Sequence, residues 1–465
     1  MIDKVLRRDF VFARMAFLAN DLERMLNGGG VGVAPGETGS PGETGSDRDD
    51  YQEAIEAITE ARQQGPEEHL VRETPSDDSR DTVPERLDER AFLSRDAMTS
   101  IVQSALEQYY EEKRQDLIRT RDAAGAVAEM PPVTDSTLLV DGEERDGFAL
   151  LGQFEITDPG WVNSLIAMGW RRYRRRHDFN DKPASPLSIE DDARLVLVAD
   201  WGTGLPRAQR VGSEMTRVLE EGRAEGLQQH VVHLGDVYYS GWQREYEKRL
   251  LPYWPVRASE EDVTSWAYNG NHDMYSGGHA YYDYLLADRR FALQEASSFF
   301  SLENRHWQIL GLDTAWDDHG LKDPQASWVE GKLRGSPNRK TMLLSHHQPF
   351  SVYERGGEIL RAKLAGALGT GRIDSWFWGH EHRCVLYKPH EGVRFGRCIG
   401  HGGVPVYADE GTLPEPAMRQ LRDYFDAGME HWALFGFAVL DFKGPTVNVR
   451  YIDEWGRTSL EETIA

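Results

Sequence analysis

The sequence predicts an α/β fold over the C-terminal part of the chain, preceded by a mainly helical region. Three observations carry this. Beyond Pro186, short β-branched and apolar runs alternate with helical patterns; before it, apolar residues recur at spacings of three and four; and glycine-containing polar clusters stand at the ends of the apolar runs.

The N-terminal elements come first. Over residues 1–27, Val11, Met15, Leu18, Leu22 and Met25 share one face of a helix, a stripe that calls for core packing or for a dimerisation partner. Residues 28–50 are rich in Gly, Pro and Ser and include the tandem Pro35-Gly36-Glu37-Thr38-Gly39-Ser40 and Pro41-Gly42-Glu43-Thr44-Gly45-Ser46. Glycine at every third position over so short a span makes a flexible linker, not a collagen helix. Residues 51–186 are predicted to be mainly helical, with Ile55 and Ile58 in one pattern and Ile101, Ala105, Leu106 and Tyr109 along a longer helix. An acidic, proline-containing stretch from Pro75 to Pro84 separates the two. Near its end an apolar pattern from Trp161 to Trp170 runs into Arg171, Arg172, Arg174, Arg175 and Arg176. This basic cluster is read as pairing with the protein's own acidic surface, the alternative being contact with an anionic partner.

Residues 187–465 are predicted as the α/β domain, with strands expected at Leu195 to Ala199, Val231 to Leu234, Trp266 to Tyr268, Trp307 to Leu312, Thr341 to Leu344 and Ser375 to Trp378. Five of these runs lead into polar clusters: Asp200-Trp201-Gly202, Gly235-Asp236-Val237-Tyr238-Tyr239, Gly270-Asn271-His272-Asp273, Ser345-His346-His347 and Gly379-His380-Glu381-His382. Open α/β sheets carry their active sites at the carboxyl ends of strands. Aspartate, histidine, an amide oxygen and a phenol form a donor set suited to iron, manganese or zinc, with thiolate absent from every cluster. Taken singly, each cluster is an ordinary turn or a surface histidine pair. All five in order point to metal-ligand chemistry.

Composition narrows the partners. With 77 acidic against 53 basic residues the formal charge is -24, which repels a phosphodiester backbone, so duplex nucleic acid is not expected. Bound cations would cancel several carboxylates locally and leave an anionic small substrate open. The two cysteines, Cys384 and Cys398, make no disulfide framework. Asp3, Lys4, Arg7, Arg8, Asp9 and Arg14 interrupt the N-terminal apolar run before it reaches secretory length, and no window has the length of a membrane span. A cytoplasmic location is expected.

The five clusters resemble those of the calcineurin-like metallophosphoesterase superfamily and, within it, the purple acid phosphatases, whose motifs read GDxG, GDxxY, GNH(D/E), a strand-end histidine and GHxH. Ala199 stands where the first glycine is usual. Gly202 replaces a histidine common in the superfamily, and Tyr239 supplies a phenol three residues after Asp236. The resemblance covers roughly Arg194 to Asp453. It implies a four-layer sandwich of two mixed β-sheets flanked by helices. It also implies that Asp200, Asp236, Tyr239 and His382 hold a first metal, while Asp236 bridges to a second held by Asn271, His346 and His380. Since tyrosinate favours a trivalent centre, the first metal is expected to be Fe(3+) and the second Fe(2+), Zn(2+) or Mn(2+).

His272 directly follows one ligand and is read as the general acid for the leaving oxygen, with Asp273 to orient its imidazole. Arg355 falls, by ungapped counting from His346, where mammalian-type members carry a substrate-contacting histidine, and is read as binding phosphate. Tyr238, His347, His233 and Glu381 lie beside ligands and are left out of the catalytic set, since such side chains can pack under the site or face the other way along a strand. His279, His306, His319, His390 and His401 carry no motif, although His401 lies on a loop that could line a cleft. The expected function is metal-dependent hydrolysis of a small phosphomonoester. The alternatives are a phosphodiesterase acting on a cyclic nucleotide or a nucleic-acid end, and a scaffold protein with a vestigial site whose N-terminal helices bind a partner or self-associate.

Overall fold

A computed structural model describes residues 176–465, except Tyr239, Arg355 and residues 405, 407, 409–411 and 427–430, together with two short strands near the N-terminus. These two, β1 (Glu68–His69) and β2 (Leu93–Ser94), pair antiparallel with Glu68 opposite Ser94. The helices predicted before residue 176, the linker at 28–50 and the arginines from Arg171 to Arg175 lie outside the described residues. Residues 176–186, expected within the helical region, carry no helix. They lie against the α/β unit instead: the His177 ring stacks 4.5 Å from Tyr282, Phe179 stacks 5.8 Å from Phe299, and the Ala184 amide donates to Phe299 O.

Two mixed sheets form the fold. In the first, β4 (Arg194–Val198), β5 (Gln229–His233) and β6 (Val263–Ala267) run parallel; β16 (Gly436–Lys443), β17 (Thr446–Asp453) and β18 (Thr458–Ile464) extend it as an antiparallel meander from β4. The second contains β3 (Leu187–Ser188), β7 (Phe300–Glu303), β8 (Trp307–Leu312), β9 (Lys340–Ser345), β10 (Ile373–Trp378), β11 (Cys384–Tyr387), β12 (Val393–Ile399) and β13 (Ala417–Gln420). Their order is β13-β11-β12-β10-β9-β8-β7-β3, with β8, β9, β10 and β12 mutually parallel. A two-stranded ribbon, β14 (Tyr424–Asp426) with β15 (His431–Ala433), stands apart. The strands expected from sequence are all present, each within a few residues of its expected ends.

The period-two alternation of the strands divides the core into layers. Leu195 and Leu197 of β4, Ile309 of β8, Met342 and Leu344 of β9 and Phe377 of β10 meet in one buried cluster between the sheets. Leu310, Leu343, Trp376 and Trp378 point the other way, into a second cluster under α3 (Gln325–Gly335), α4 (Glu358–Lys363) and α5 (Ala365–Gly369). Across the first sheet lies α1 (Pro206–Glu225), which buries Val211, Met215, Val218 and Leu219. Arg194 Nη1 and Gln229 Nε2 donate to its Val218 and Leu219 carbonyls, tying it to the strands. Pro at its start presets a helical φ, and Gly226 ends it at φ 73°. The result is the four-layer α/β sandwich expected, helices outside and sheets within.

Candidate metal centre

Parallel strands present their carboxyl ends at one edge, and here the two sheets do so side by side. Asp200 follows β4 and Asp236 follows β5; Asn271 and His272 open the short helix α2 (Asn271–Tyr275) after β6. His346 follows β9 directly, and His380 and His382 follow β10. The sheets are stitched together at this edge: His346 Nδ1 lies 3.0 Å from Leu234 O, and the His380 amide donates to Asp200 Oδ2 at 2.7 Å.

Two groups of donors result, and they share one carboxylate. Asp200, Asp236 and His382 bring ligand atoms within 4.8 Å of one another, as do Asp236, His346 and His380. His382 Nε2 is 3.5 Å from Asp200 Oδ1, and His346 Nε2 is 3.5 Å from Asp236 Oδ1. Asn271 joins the second group. Its Nδ2 donates to Tyr275 Oη at 2.6 Å, which turns Oδ1 toward His346 Nε2 at 2.9 Å and His380 Nδ1 at 3.1 Å.

With its Nδ1 proton directed at the Leu234 carbonyl, His346 aims an Nε2 lone pair at another lone pair on Asn271 Oδ1. Burial pushes the His346 pKa down to about 3, so the neutral ring is the form present near neutral pH. Burial also raises the pKa of Asp236, which the nearby His272 opposes. Lone pairs facing each other among buried groups are what a cation between them relieves.

The expected phenol, Tyr239, lies outside the described residues; Tyr238, left out of the catalytic set on sequence grounds, places its hydroxyl within the first group. Tyr238 Oη stands 3.1 Å from both Asp200 Oδ1 and Asp236 Oδ2, and 2.8 Å from His382 Nε2. Only its residue type and its nearness to Asp236 in sequence hint at this; the turn after β5 brings its hydroxyl to the carboxylates.

His272 is buried with its ring between Tyr238 and Tyr275, at centroid distances of 4.5 and 4.7 Å, and its amide donates to Asp236 Oδ1 at 3.0 Å. The orienting role expected of Asp273 is corrected by its contacts. Its Oδ2 accepts from the amides of Gly270 (2.6 Å) and Asp236 (2.8 Å), and its Oδ1 accepts from the Tyr246 hydroxyl. Adjacent residues of a helix do not face each other, and a carboxylate in the first turn reaches back to the unpaired amides there. Asp273 thus fixes the loop that carries Asp236. Burial, then the Asp236 charge, raises its pKa. Arg355 lies outside the described residues.

Backbone geometry marks the same positions. Asp200, Asp236, His380 and His382 have φ of 55°, 74°, 70° and 51°. Such values cost a non-glycine residue about 1–2 kcal/mol and collect at functional sites. Gly270 is required by closeness: a Cβ there would fall 2.0 Å from Asp236 Oδ1. Of the remaining flanking residues, His233 and Glu381 are buried packing groups, with Glu381 accepting from Trp378 Nε1 and Ser351 Oγ. His347 and His319 approach His380, with ring centroids 4.8 and 5.1 Å away.

Residues 193–384 match the family model of calcineurin-like phosphoesterases. Among solved structures, similarity extends to GAP50, the anchor in the inner membrane complex of Plasmodium, at 12% identity and a TM-score of 0.43, covering 59% of this chain and 88% of that one. It extends also to a Streptococcus pneumoniae TIGR4 protein described as a predicted phosphoesterase (10% identity, 58% of this chain and 97% of that one, TM-score 0.26). A third is the cold-active protein-tyrosine phosphatase of a psychrophilic Shewanella (13%, 63% and 84%, TM-score 0.27). A comparison with curated proteins finds no match.

Proposed function

We propose that the calcineurin-like phosphoesterase domain of this chain, matched over residues 193–384, binds two metal ions and uses them to hydrolyse a small phosphomonoester. The observation that carries this reading is the sharing of Asp236 between two groups of donor atoms, each within 4.8 Å. The donors fit a pair of cations: carboxylate, imidazole and amide oxygen brought together at one edge, with the His346 Nε2 lone pair turned inward.

In this reading Asp200, Asp236 and His382 hold the first metal, together with a phenol. The resemblance to purple acid phosphatases assigns that phenol to Tyr239, and the contacts of Tyr238 favour its neighbour. Asp236, Asn271, His346 and His380 hold the second. Fe(3+) is assigned to the first position, and Fe(2+), Zn(2+) or Mn(2+) to the second. Cations so bound supply Lewis-acid charge to phosphoryl oxygens and lower the pKa of a water.

The chain's own residues do the rest. His272 passes a proton to the leaving oxygen, its ring kept in place by Tyr238 and Tyr275. Asp273 keeps the Gly270 and Asp236 amides fixed, so the shared carboxylate does not swing away. Arg355 pairs with the phosphate dianion, which favours monoesters.

Among the described residues no helix is long and apolar enough to cross a membrane. Metal analysis of the purified protein, with turnover measured on matched mono- and diesters, tests the proposal. Full metal occupancy without turnover on either would favour the scaffold reading, and a diester preference would move the substrate class.

A further inference from the structure

A third set of donors adjoins the two described, and the phosphoesterase pattern does not use it. His319, His347 and His380 offer ring nitrogens within 4.8 Å of one another. They come from the loop after β8, from the end of β9 and from the end of β10, three neighbouring parallel strands. His319 lies 4.0 Å from His347 between ring centroids.

His347 is wholly buried, yet its Nε2 has no hydrogen-bond partner among the described residues. Its Nδ1 lies 3.1 Å from Thr314 Oγ1. With the proton on Nδ1 and donated to that hydroxyl, Nε2 presents a lone pair, the arrangement by which an outer oxygen readies a histidine for a metal. Asp318 supplies an oxygen on the same side: Oδ1 is 3.9 Å from His347 Nε2 and 3.1 Å from His319 Nδ1. Donors about 2.0–2.2 Å from one tetrahedral ion stand roughly 3.3–3.6 Å apart, and the observed spacings bracket that value.

We propose that His319, His347 and Asp318, with His380, form a third metal site that takes a zinc-like divalent cation. His380 Nδ1 is the nitrogen beside Asn271; to hold the second cation there and the third through Nε2, the ring has to release its N–H proton to solvent and bind as an imidazolate, which two adjacent divalent cations favour. The inference goes beyond the dinuclear reading, since His319, His347 and Asp318 belong to neither of those two positions. A third cation at this point would add positive charge beside the second metal position.

The test counts metal. The full chain is stripped with a chelator, dialysed against buffered zinc and assayed for bound zinc per folded chain, alongside His319→Ala and Asp318→Asn. His319 and Asp318 are partly exposed, and circular dichroism with thermal melting checks that the variants fold. The expected result is three zinc ions in the wild type and two in each variant; a drop of one ion in His319→Ala supports the site whatever the wild-type total. Two ions in all three proteins overturn the third site and leave the dinuclear reading standing. None in any overturns both. If the zinc count is two throughout while inorganic phosphate binds the wild type more tightly than His319→Ala, the imidazoles serve the anion, and the proposal is overturned in favour of that role.

Discussion

His346 Nε2 stands 3.5 Å from Asp236 Oδ1, although the two residues leave strands of different sheets. The other nitrogen of the same ring reaches the Leu234 carbonyl. One imidazole therefore spans the seam between the sheets, and the donor pocket exists only while the inter-sheet core is closed.

Asp236 is the single side chain common to both donor groups, so Asp236→Asn is expected to weaken both metal positions. Loss of an outer partner of a metal ligand already costs about 10–100-fold, and loss of a shared ligand should exceed that in kcat. Elemental analysis alongside turnover checks it; wild-type activity with unchanged metal content would sink the dinuclear assignment.

Iron bound beside a phenolate absorbs visible light. On the contacts described, Tyr238→Phe is expected to remove the band from iron-loaded protein and Tyr239→Phe to leave it, because the Tyr238 hydroxyl lies 3.1 Å from two of the carboxylates. The reverse outcome returns the phenol to the position the purple acid phosphatase pattern assigns. An active but colourless wild type means that no tyrosinate is used.

His272→Ala is expected to slow alkyl esters by about 10²–10⁴-fold and aryl esters far less, because a good leaving group needs little protonation. Parallel kcat/KM measurements on the two classes read this directly. Equal losses would mean that the imidazole positions phosphate.

Two glycine substitutions separate the pocket from the scaffold. Gly270→Ala puts a methyl group 2.0 Å from Asp236 Oδ1, so it should cost about 1–3 kcal/mol and displace the shared carboxylate with it. Gly331→Ala, in α3 with open space around its Cβ, should raise stability by about 0.5–1 kcal/mol and leave turnover alone. Thermal melts and turnover for the pair distinguish a local clash from general fragility.

Arg355→Ala is expected to lower kcat/KM for monoesters selectively, by about 1.5–3 kcal/mol if its bond to the phosphate dianion is shielded from water. A mono-to-diester ratio equal to that of the wild type removes Arg355 from the site.

Much of this was readable in the sequence because two constraints coincide in it. An apolar run such as Leu195 to Ala199 cannot be anything but buried, and the polar residue that ends it, Asp200, has to emerge where the strand does. The same holds for Asp236, His346 and His380. What stayed hidden depends on contacts the chain makes far from itself. Asp273 turns away from His272 because Tyr246 and two amides hold it, and nothing in Asn271-His272-Asp273 encodes that partner. His319 sits in a loop with no repeat or strand register to draw the eye, and it becomes part of the histidine cluster only because β8 lies next to β9. That the Tyr238 hydroxyl reaches Asp200 and Asp236 rests on the phase of a turn, which residue type does not fix.

The left-handed backbone at Asp200, Asp236, His380 and His382 has a consequence for redesign. Each position passes through two independent filters, one for a donor atom and one for tolerance of positive φ, and the residues that pass both are chiefly Asp, Asn and His. These three differ in charge and in hardness as ligands while sharing a backbone preference. If the proposed metals bind there, their selectivity should be tunable by exchanging members of that small alphabet, hard oxygen for borderline nitrogen, without rebuilding any turn. Glu and Cys, equally good donors, enter that backbone region less readily than Asp, Asn or His.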